Sequence, residues 1–451
     1  MEATAILADY VVNSEFHMLP QGVRSEAARS LLNWMGCAVG GSGHATVDRA
    51  IAALLPFAGQ GQASLFGRIE RVDALHAALM NGISSHVLDF DDTHPETLIH
   101  PTAPVVPALL ALAEQRRISG ADLLHAMVLG VEVECRIGRV VFPAHYNIGW
   151  HITGTAGVFG AAAAAGKLLG LNRQQMTWAL GIAGTQSAGL REMFGSMCKS
   201  FHPGRAAQNG LASALLAQQN FTSSDRVIEA PRGFSHVMSV EQNFAEITKG
   251  LGSSFEITFN TYKPFPCGLV IHPAIDGCIQ LRDEHGLGGD DIDRVELRVH
   301  PLVLELTGKK TPQTGLEGKF SVYHSAAAAI TYGAAGEHEF SDACVCEERV
   351  AILRDRIDAV SDSKIHEDEV YITVTLKNGR KLHKHVKHAV GSLQCPMSDA
   401  ALEAKFLSLT ERVLPKDRVD QLIKLCWAVE QLDDAAELAR AAAAMHGGAA
   451  V

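Results

Sequence analysis

Aromatic residues are scarce, 6% of 451, with four Trp and six Tyr. So few rings do not fill the interior of a β-sandwich. Basic residues are outnumbered, 39 Lys and Arg against 50 Asp and Glu, for a net charge of −11. Nucleic acid is therefore a poor partner, because phosphate binding needs clustered Lys and Arg. The densest basic run, Lys381–His388, reads as a strand whose charges form a solvated face. No Cys-x-x-Cys pair occurs among the nine cysteines, which suits free thiols in a reducing cytoplasm rather than a disulfide framework. The opening residues lack the basic segment of a signal peptide. The most apolar stretch, Ile152–Gly166, stops at Lys167, short of the ~18 apolar residues that mark a membrane span, so no membrane partner is expected.

What the chain does have is apolar content, 47% against 20% charged, enough for a folded protein. At roughly 100–200 residues per domain its length allows two to four domains. Glycine reaches 41 residues, and alanine comes in runs at 161–165 and 326–329, which fits closely packed helices. Helical spacing recurs over 23–39, 74–88, 103–115, 120–137, 151–169, 173–188 and 204–219, with Gly, Pro, Asn or Ser breaks between. The texture changes near 255. Phe255–Asn260 alternates as a strand does, as does Arg294–His300. Val370–Leu376 and Arg380–Val386 flank Asn378-Gly379, a strong hairpin signal. Helical runs follow at 273–284, 320–333, 398–409 and 417–444. The expected fold is mainly α with an α+β second domain: a large all-helical domain over 1–258, a smaller α+β lid over 259–393, and C-terminal helices over 394–451 that pack back on the helical domain. The tail Gly447–Val451 is expected to fray.

Five segments could carry chemistry. Asp89-Phe-Asp-Asp-Thr-His94 and His100-Pro place three carboxylates and two imidazoles within a dozen residues. A cap and salt-bridge cluster, a metal site and an acid–base site all compete there, although the spacing fits no standard ligand template. His151 opens an Ala/Gly helix, either as a satisfied core histidine or as a group at a helix mouth. The segment Lys199-Ser-Phe-His202-Pro-Gly-Arg205 leads into a helix whose N-terminus suits an anion. Tyr262-Lys263 and His272 lie at the expected domain boundary, a favoured place for small ligands. Lys319-Phe-Ser-Val-Tyr323-His324 offers a hydroxyl and an imidazole at another helix entry.

In this order the segments resemble the MmgE/PrpD family, which includes 2-methylcitrate dehydratase, cis-aconitate decarboxylase and iminodisuccinate epimerase. The likeness runs through Leu88-Asp-Phe-Asp-Asp-Thr93, His100-Pro, His151 with its Gly/Ala helix, Lys199 with His202-x-Gly, Lys263-x-Phe-Pro, Lys319-Phe-Ser, Pro396-Met-Ser-Asp399 and Glu403-Ala-Lys-Phe406. The resemblance implies a helical domain completed by the C-terminal helices, an α+β lid, a homodimer, and no metal or organic cofactor. It places pocket residues on Asp89, Thr93, His100, His151, Lys199 and Lys263. Several members carry Gln-Tyr after Phe-Ser-x, and His324 holds that tyrosine's place here. Asp89, His100, His151, Lys199 and His324 are therefore the catalytic candidates. Thr93, Lys263, Tyr323, His202 and Arg205 are the candidates for substrate binding.

The implied substrate is a small di- or tricarboxylic acid. Proton transfer beside a carboxylate gives an enediolate-like intermediate that lysines would stabilise. Loss of hydroxide, loss of carbon dioxide and reprotonation from the opposite face make that site a dehydratase, a decarboxylase or an epimerase, respectively. A lyase is expected, with an isomerase and a non-catalytic carboxylate binder as alternatives and a metal-dependent hydrolase as a distant third.

Overall fold

The structure, a computed structural model, describes residues 2–444; the Gly447–Val451 tail lies outside them. A large helical domain is built from α1 (Gln21–Gly41), α2 (Ala74–Val87), α3 (Thr102–Ala113), α4 (Gly120–Val141), α5 (Ile152–Leu168), α6 (Arg173–Gly184) and α7 (Cys198–Gln218). The smaller domain holds α8 (His272–His285), α9 (Val322–Tyr332) and a four-stranded sheet of β1 (Ile292–Val299), β2 (Ile357–Ser361), β3 (Val370–Leu376) and β4 (Lys381–Val386). The strand order is β2-β1-β3-β4, with β1–β2 parallel and the other two pairings antiparallel. Gly379, at φ +82°, turns the β3–β4 hairpin. α10 (Asp399–Thr410) returns to the helical domain and packs on α1.

Two apolar cores follow this division. One runs from Ala3 to Tyr262 and resumes from Met397 to Ala442. The other lies between Cys267 and Ala389. The chain crosses between them twice, and the crossings touch. Gly391, at φ +89°, sits where a Cβ would lie 2.5 Å from the Tyr262 carbonyl oxygen.

Close helix approach explains the shortage of rings. A Cβ on Gly82 of α2 would lie 2.6 Å from the Gly204 Cα of α7, and one on Gly210 would lie 2.4 Å from the Ala161 Cβ of α5. Backbones at that separation leave no room for aromatic side chains.

Three sequence expectations are corrected. Phe255–Asn260 is not a strand; Glu256–Phe259 forms a 3₁₀ turn. The alternation misleads because Glu256 is buried as well, paired with Arg139 (2.8 Å) and close to His94 Nε2 (3.0 Å). The helix read from 204 begins at Cys198 and includes Pro203, so Lys199, His202 and Arg205 are helical. The run 417–444 is two helices, Lys416–Trp427 and Ala436–Ala442, separated at Leu432-Asp-Asp434. No helix among the described residues is long and apolar enough to cross a membrane.

Candidate active site

The site forms where helix ends meet. α2 ends at Leu88, and Asp89 follows with φ +53°, a left-handed conformation that, after Gly, Asn and Asp adopt most readily. That turn directs its carboxylate between two ammonium groups. Lys199 Nζ and Lys263 Nζ each donate to Asp89 Oδ1 at 2.8 Å. Lys199 comes from the first turn of α7, and Lys263 from the crossing between the cores. All three side chains are buried. Burial pushes the Asp89 carboxyl up, but the two ammonium groups more than reverse this and hold it well below the usual range. Burial lowers Lys199 against the pull of Asp89. The rings of Phe194 and Phe320 flank Lys199 Nζ, with centroids at 5.4 and 5.3 Å.

The next two carboxylates take other roles. Asp91 clamps two imidazoles: its Oδ2 lies 2.7 Å from His86 Nδ1 and its Oδ1 lies 3.3 Å from His100 Nδ1. Donation from His86 Nδ1 fixes the tautomer of that ring, while His100 Nδ1 faces Asp91 and, at 3.5 Å, Thr93 Oγ1 and so leaves its Nε2 for the cavity. Asp92 accepts from Thr102 Oγ1 and, at 2.7 Å, from Asn260 Nδ2, and burial raises it to about 7.

Thr93 pairs reciprocally with Thr261 through their backbones, at 2.9 and 2.8 Å. This fixes the 89–93 segment against the chain that carries Lys263. The His100 amide donates to Thr153 Oγ1 of α5 at 3.1 Å. His151, the residue before α5, donates its amide to the Gly189 carbonyl at 3.0 Å, and its Nδ1 lies 2.9 Å from His202 Nδ1. The Nε2 edge of His151 is thus the one left for the cavity. Burial drives His151 well down, reinforced by His202, His86 and Lys199. Burial also lowers His100, and it takes His86 and His202 to about 4. These imidazoles are neutral at neutral pH in the free protein.

The cavity between these groups has a volume of about 60 Å³. Its floor is Asp89, Thr93, His100, His151, Lys199 and Lys263, and its walls include Leu98, Leu269, Val270, Leu306 and Tyr146. The Tyr146 hydroxyl has no hydrogen-bond partner among the described residues, and burial raises it to about 12, so it keeps its proton. Leu98, Leu269 and Val270 separate the cavity from an outer cleft of about 480 Å³. Phe194, Leu306 and Phe320 separate it from another of about 740 Å³.

The structure therefore brings together Asp89, Thr93, His100, His151, Lys199 and Lys263, with His202 behind His151. It does not bring in the other three candidates. Arg205 is exposed on α7 and donates to Gln208 at 2.5 Å. Tyr323 packs on the smaller domain's core under Lys310, whose Nζ is 4.2 Å from its ring centroid. His324 is fully buried there, with Nε2 2.8 Å from the Glu339 carbonyl oxygen. It occupies the tyrosine's place in sequence but faces the domain interior. His86 and Tyr146 were missed. His86 sits in the last turn of α2, and only its five-residue spacing from Asp91 hints at a pair.

His86, Asp89 and His100 offer ligand atoms within 4.8 Å of one another. The donor set does not suit a cation, because Asp89 Oδ1 already accepts from two ammonium groups and their charges oppose a metal ion.

Residues 5–247 match the MmgE/PrpD N-terminal domain, and residues 265–429 match the MmgE/PrpD C-terminal domain. The chain belongs to the MmgE/PrpD family. Among curated relatives, it is 27% identical to the cis-aconitate decarboxylase-like protein oryM of Aspergillus oryzae, with 96% of each chain covered. It is 26% identical to the cis-aconitate decarboxylase of Mus musculus, over 97% of this chain and 92% of the relative. It is 25% identical to that of Aspergillus terreus, over 96% and 94%. The MmgE/PrpD C-terminal match extends through α10, whose apolar face belongs to the core of the helical domain.

Proposed function

We propose that this MmgE/PrpD protein is a lyase that removes carbon dioxide from an unsaturated tricarboxylate of the cis-aconitate type, using its own side chains. One observation carries the reading: two buried ammonium groups and two imidazole edges converge on a single cavity. The names of the relatives favour decarboxylation over dehydration.

Lys199 and Lys263 hold substrate carboxylates as point charges. In cis-aconitate the carbon–carbon bond to the methylene arm's carboxylate breaks, and carbon dioxide leaves. The freed electron pair forms a new terminal double bond. The pair of the old double bond moves into the adjacent carboxylate as an enediolate. A proton then adds to the carbon beside that carboxylate and gives methylenesuccinate. The ammonium groups, themselves buried, stabilise the enediolate. His100 or His151 delivers the proton through Nε2. Both are neutral in the free protein because burial and nearby cations disfavour their charge. A bound polyanion reverses that local potential, so the imidazole gains its proton together with the substrate.

The test is incubation with cis-aconitate in deuterium oxide, following carbon dioxide release and the product by NMR. Methylenesuccinate with a single deuterium beside the carboxylate is expected. Lys199→Ala and His151→Ala should each lower kcat by about 100-fold. Wild-type activity in both variants would refute the site. Water loss from citrate-type acids, or deuterium entering a substrate without carbon dioxide release, would replace decarboxylation with dehydration or epimerisation.

A further inference from the structure

Three consecutive carbonyls at the turn accept from three different buried lysines. Lys319 Nζ donates to the Leu88 oxygen at 2.5 Å, Lys263 Nζ to the Asp89 oxygen at 3.1 Å, and Lys405 Nζ to the Phe90 oxygen at 2.6 Å. Two of these lysines do not line the cavity. Lys319 belongs to the smaller domain, and its second partner is Glu337 at 2.6 Å. Lys405 belongs to α10, some 300 residues further along the chain. Its other partners are Asn33 Oδ1 at 2.7 Å and the Lys263 carbonyl oxygen at 2.9 Å. The three protons of the Lys405 ammonium are thus all engaged, and each acceptor is formally neutral.

A buried ammonium on neutral acceptors is an expensive way to fill space. Burial takes Lys405 down to about 8. A methionine would cover the Phe90 ring, which lies 3.9 Å from Nζ, without that cost. What the charge achieves is specific. Lys405 fixes the residue after Asp89 and the backbone of Lys263 to one point, and so sets the spacing between the partners of an ion pair. Lys319 fixes the residue before Asp89. Between them they hold a left-handed non-glycine residue, a conformation that persists only where its surroundings over-determine it.

We propose that Lys405 and Lys319 are positioning residues that staple the Leu88–Phe90 turn from two separate domains, so that Asp89 stays between Lys199 and Lys263 and both ammonium groups keep their aim into the cavity. The inference rests on the catalytic reading of that cavity.

A half-buried lysine with the same kind of partners serves as a control. Lys167 Nζ donates to three carbonyls, of Val11, Val12 and Ser14, at 2.9, 3.0 and 2.7 Å, but outside the site. The experiment compares Lys405→Met, Lys319→Met and Lys167→Met by steady-state kinetics and by amide hydrogen exchange. The first two should lower kcat about 10- to 100-fold, as small misplacements of catalytic groups do, with KM changed by less than about threefold. Exchange over 88–94 should quicken about tenfold. Lys167→Met should quicken exchange around 11–14 and keep kcat within about twofold of wild type. Lys405→Arg, which keeps the charge and donors, should recover part of the loss. Wild-type kcat in both folded variants, or an equal loss in Lys167→Met, overturns the proposal. If Lys405→Met does not fold, Lys319→Met decides by the same criteria. If the wild type does not decarboxylate, the functional reading fails by itself; unchanged exchange over 88–94 in both variants then sinks the staple independently.

Discussion

Asp89→Asn isolates the charge at the centre of the site. Asparagine tolerates the left-handed backbone of Asp89 nearly as well as aspartate does, so the turn survives and only the carboxylate is lost. Each Lys–Asp contact is 2.8 Å long, about 6 kcal/mol of gross attraction at an effective dielectric of about 20. Desolvation offsets most of this, and breaking such a buried pair from one side costs about 3–5 kcal/mol. At about 2–4 °C per kcal/mol, the melting temperature should fall by roughly 10 °C. Asp89→Ala should lose about 1–2 kcal/mol more, because alanine resists positive φ. The pH dependence has a definite sign. The folded pKa of Asp89 lies below its unfolded value, so its contribution is complete above about pH 4 and fades only as pH falls through the folded pKa. The gap between wild type and Asp89→Asn should therefore be level from about pH 5 to 7 and close only in acid. A polyanion supplies the missing charge, so tricarballylate should raise the variant's melting temperature more than that of the wild type. Scanning fluorimetry with and without tricarballylate reads both effects. A variant that melts within about 1 °C of wild type and gains no more from the ligand would refute the charge arrangement.

Binding of a polycarboxylate at pH 7 should take up about half to one proton, because His100 and His151 are both lowered in the free protein and an anion raises them. Calorimetry in buffers of different ionisation enthalpy measures this, and buffer-independent heats would contradict it. His324→Phe should keep kcat within about twofold and lose about 1 kcal/mol of stability with its bond to Glu339; a large kcat loss with an unchanged melting temperature would return His324 to the site. Gly204→Ala places a Cβ 2.5 Å from the Leu79 carbonyl oxygen, which forces α7 away from α2 at a cost of about 1–3 kcal/mol. Since Lys199 and His202 ride on α7, kcat should drop about tenfold, and wild-type kinetics would show that the helix contact does not set the site.

Much of this arrangement was legible because chemistry-bearing residues stand at helix mouths in an otherwise bland sequence. His151 precedes an Ala/Gly helix and Lys199 opens another, and both reach the cavity. What the sequence does not encode locally is direction. Asp89, Asp91 and Asp92 are the same residue type within four positions, yet one pairs with two lysines, one clamps two imidazoles and one sits raised to about 7. Their fates depend on a positive φ at Asp89 and on partners between 5 and about 170 residues away. His324 shows the converse. It matched a motif position, but a one-residue step along α9 is a rotation of roughly 100°, enough to turn a side chain from a cavity into a core. Lys319 and Lys405 stood in motif segments with no chemistry to assign, because their partners are backbone carbonyls, which no side-chain pattern announces. The shortage of rings belongs to the same logic. Glycine and alanine contacts bring α2, α5 and α7 to backbone distance, and only at that distance can the ends of three helices place Asp89, His151 and Lys199 around one small cavity.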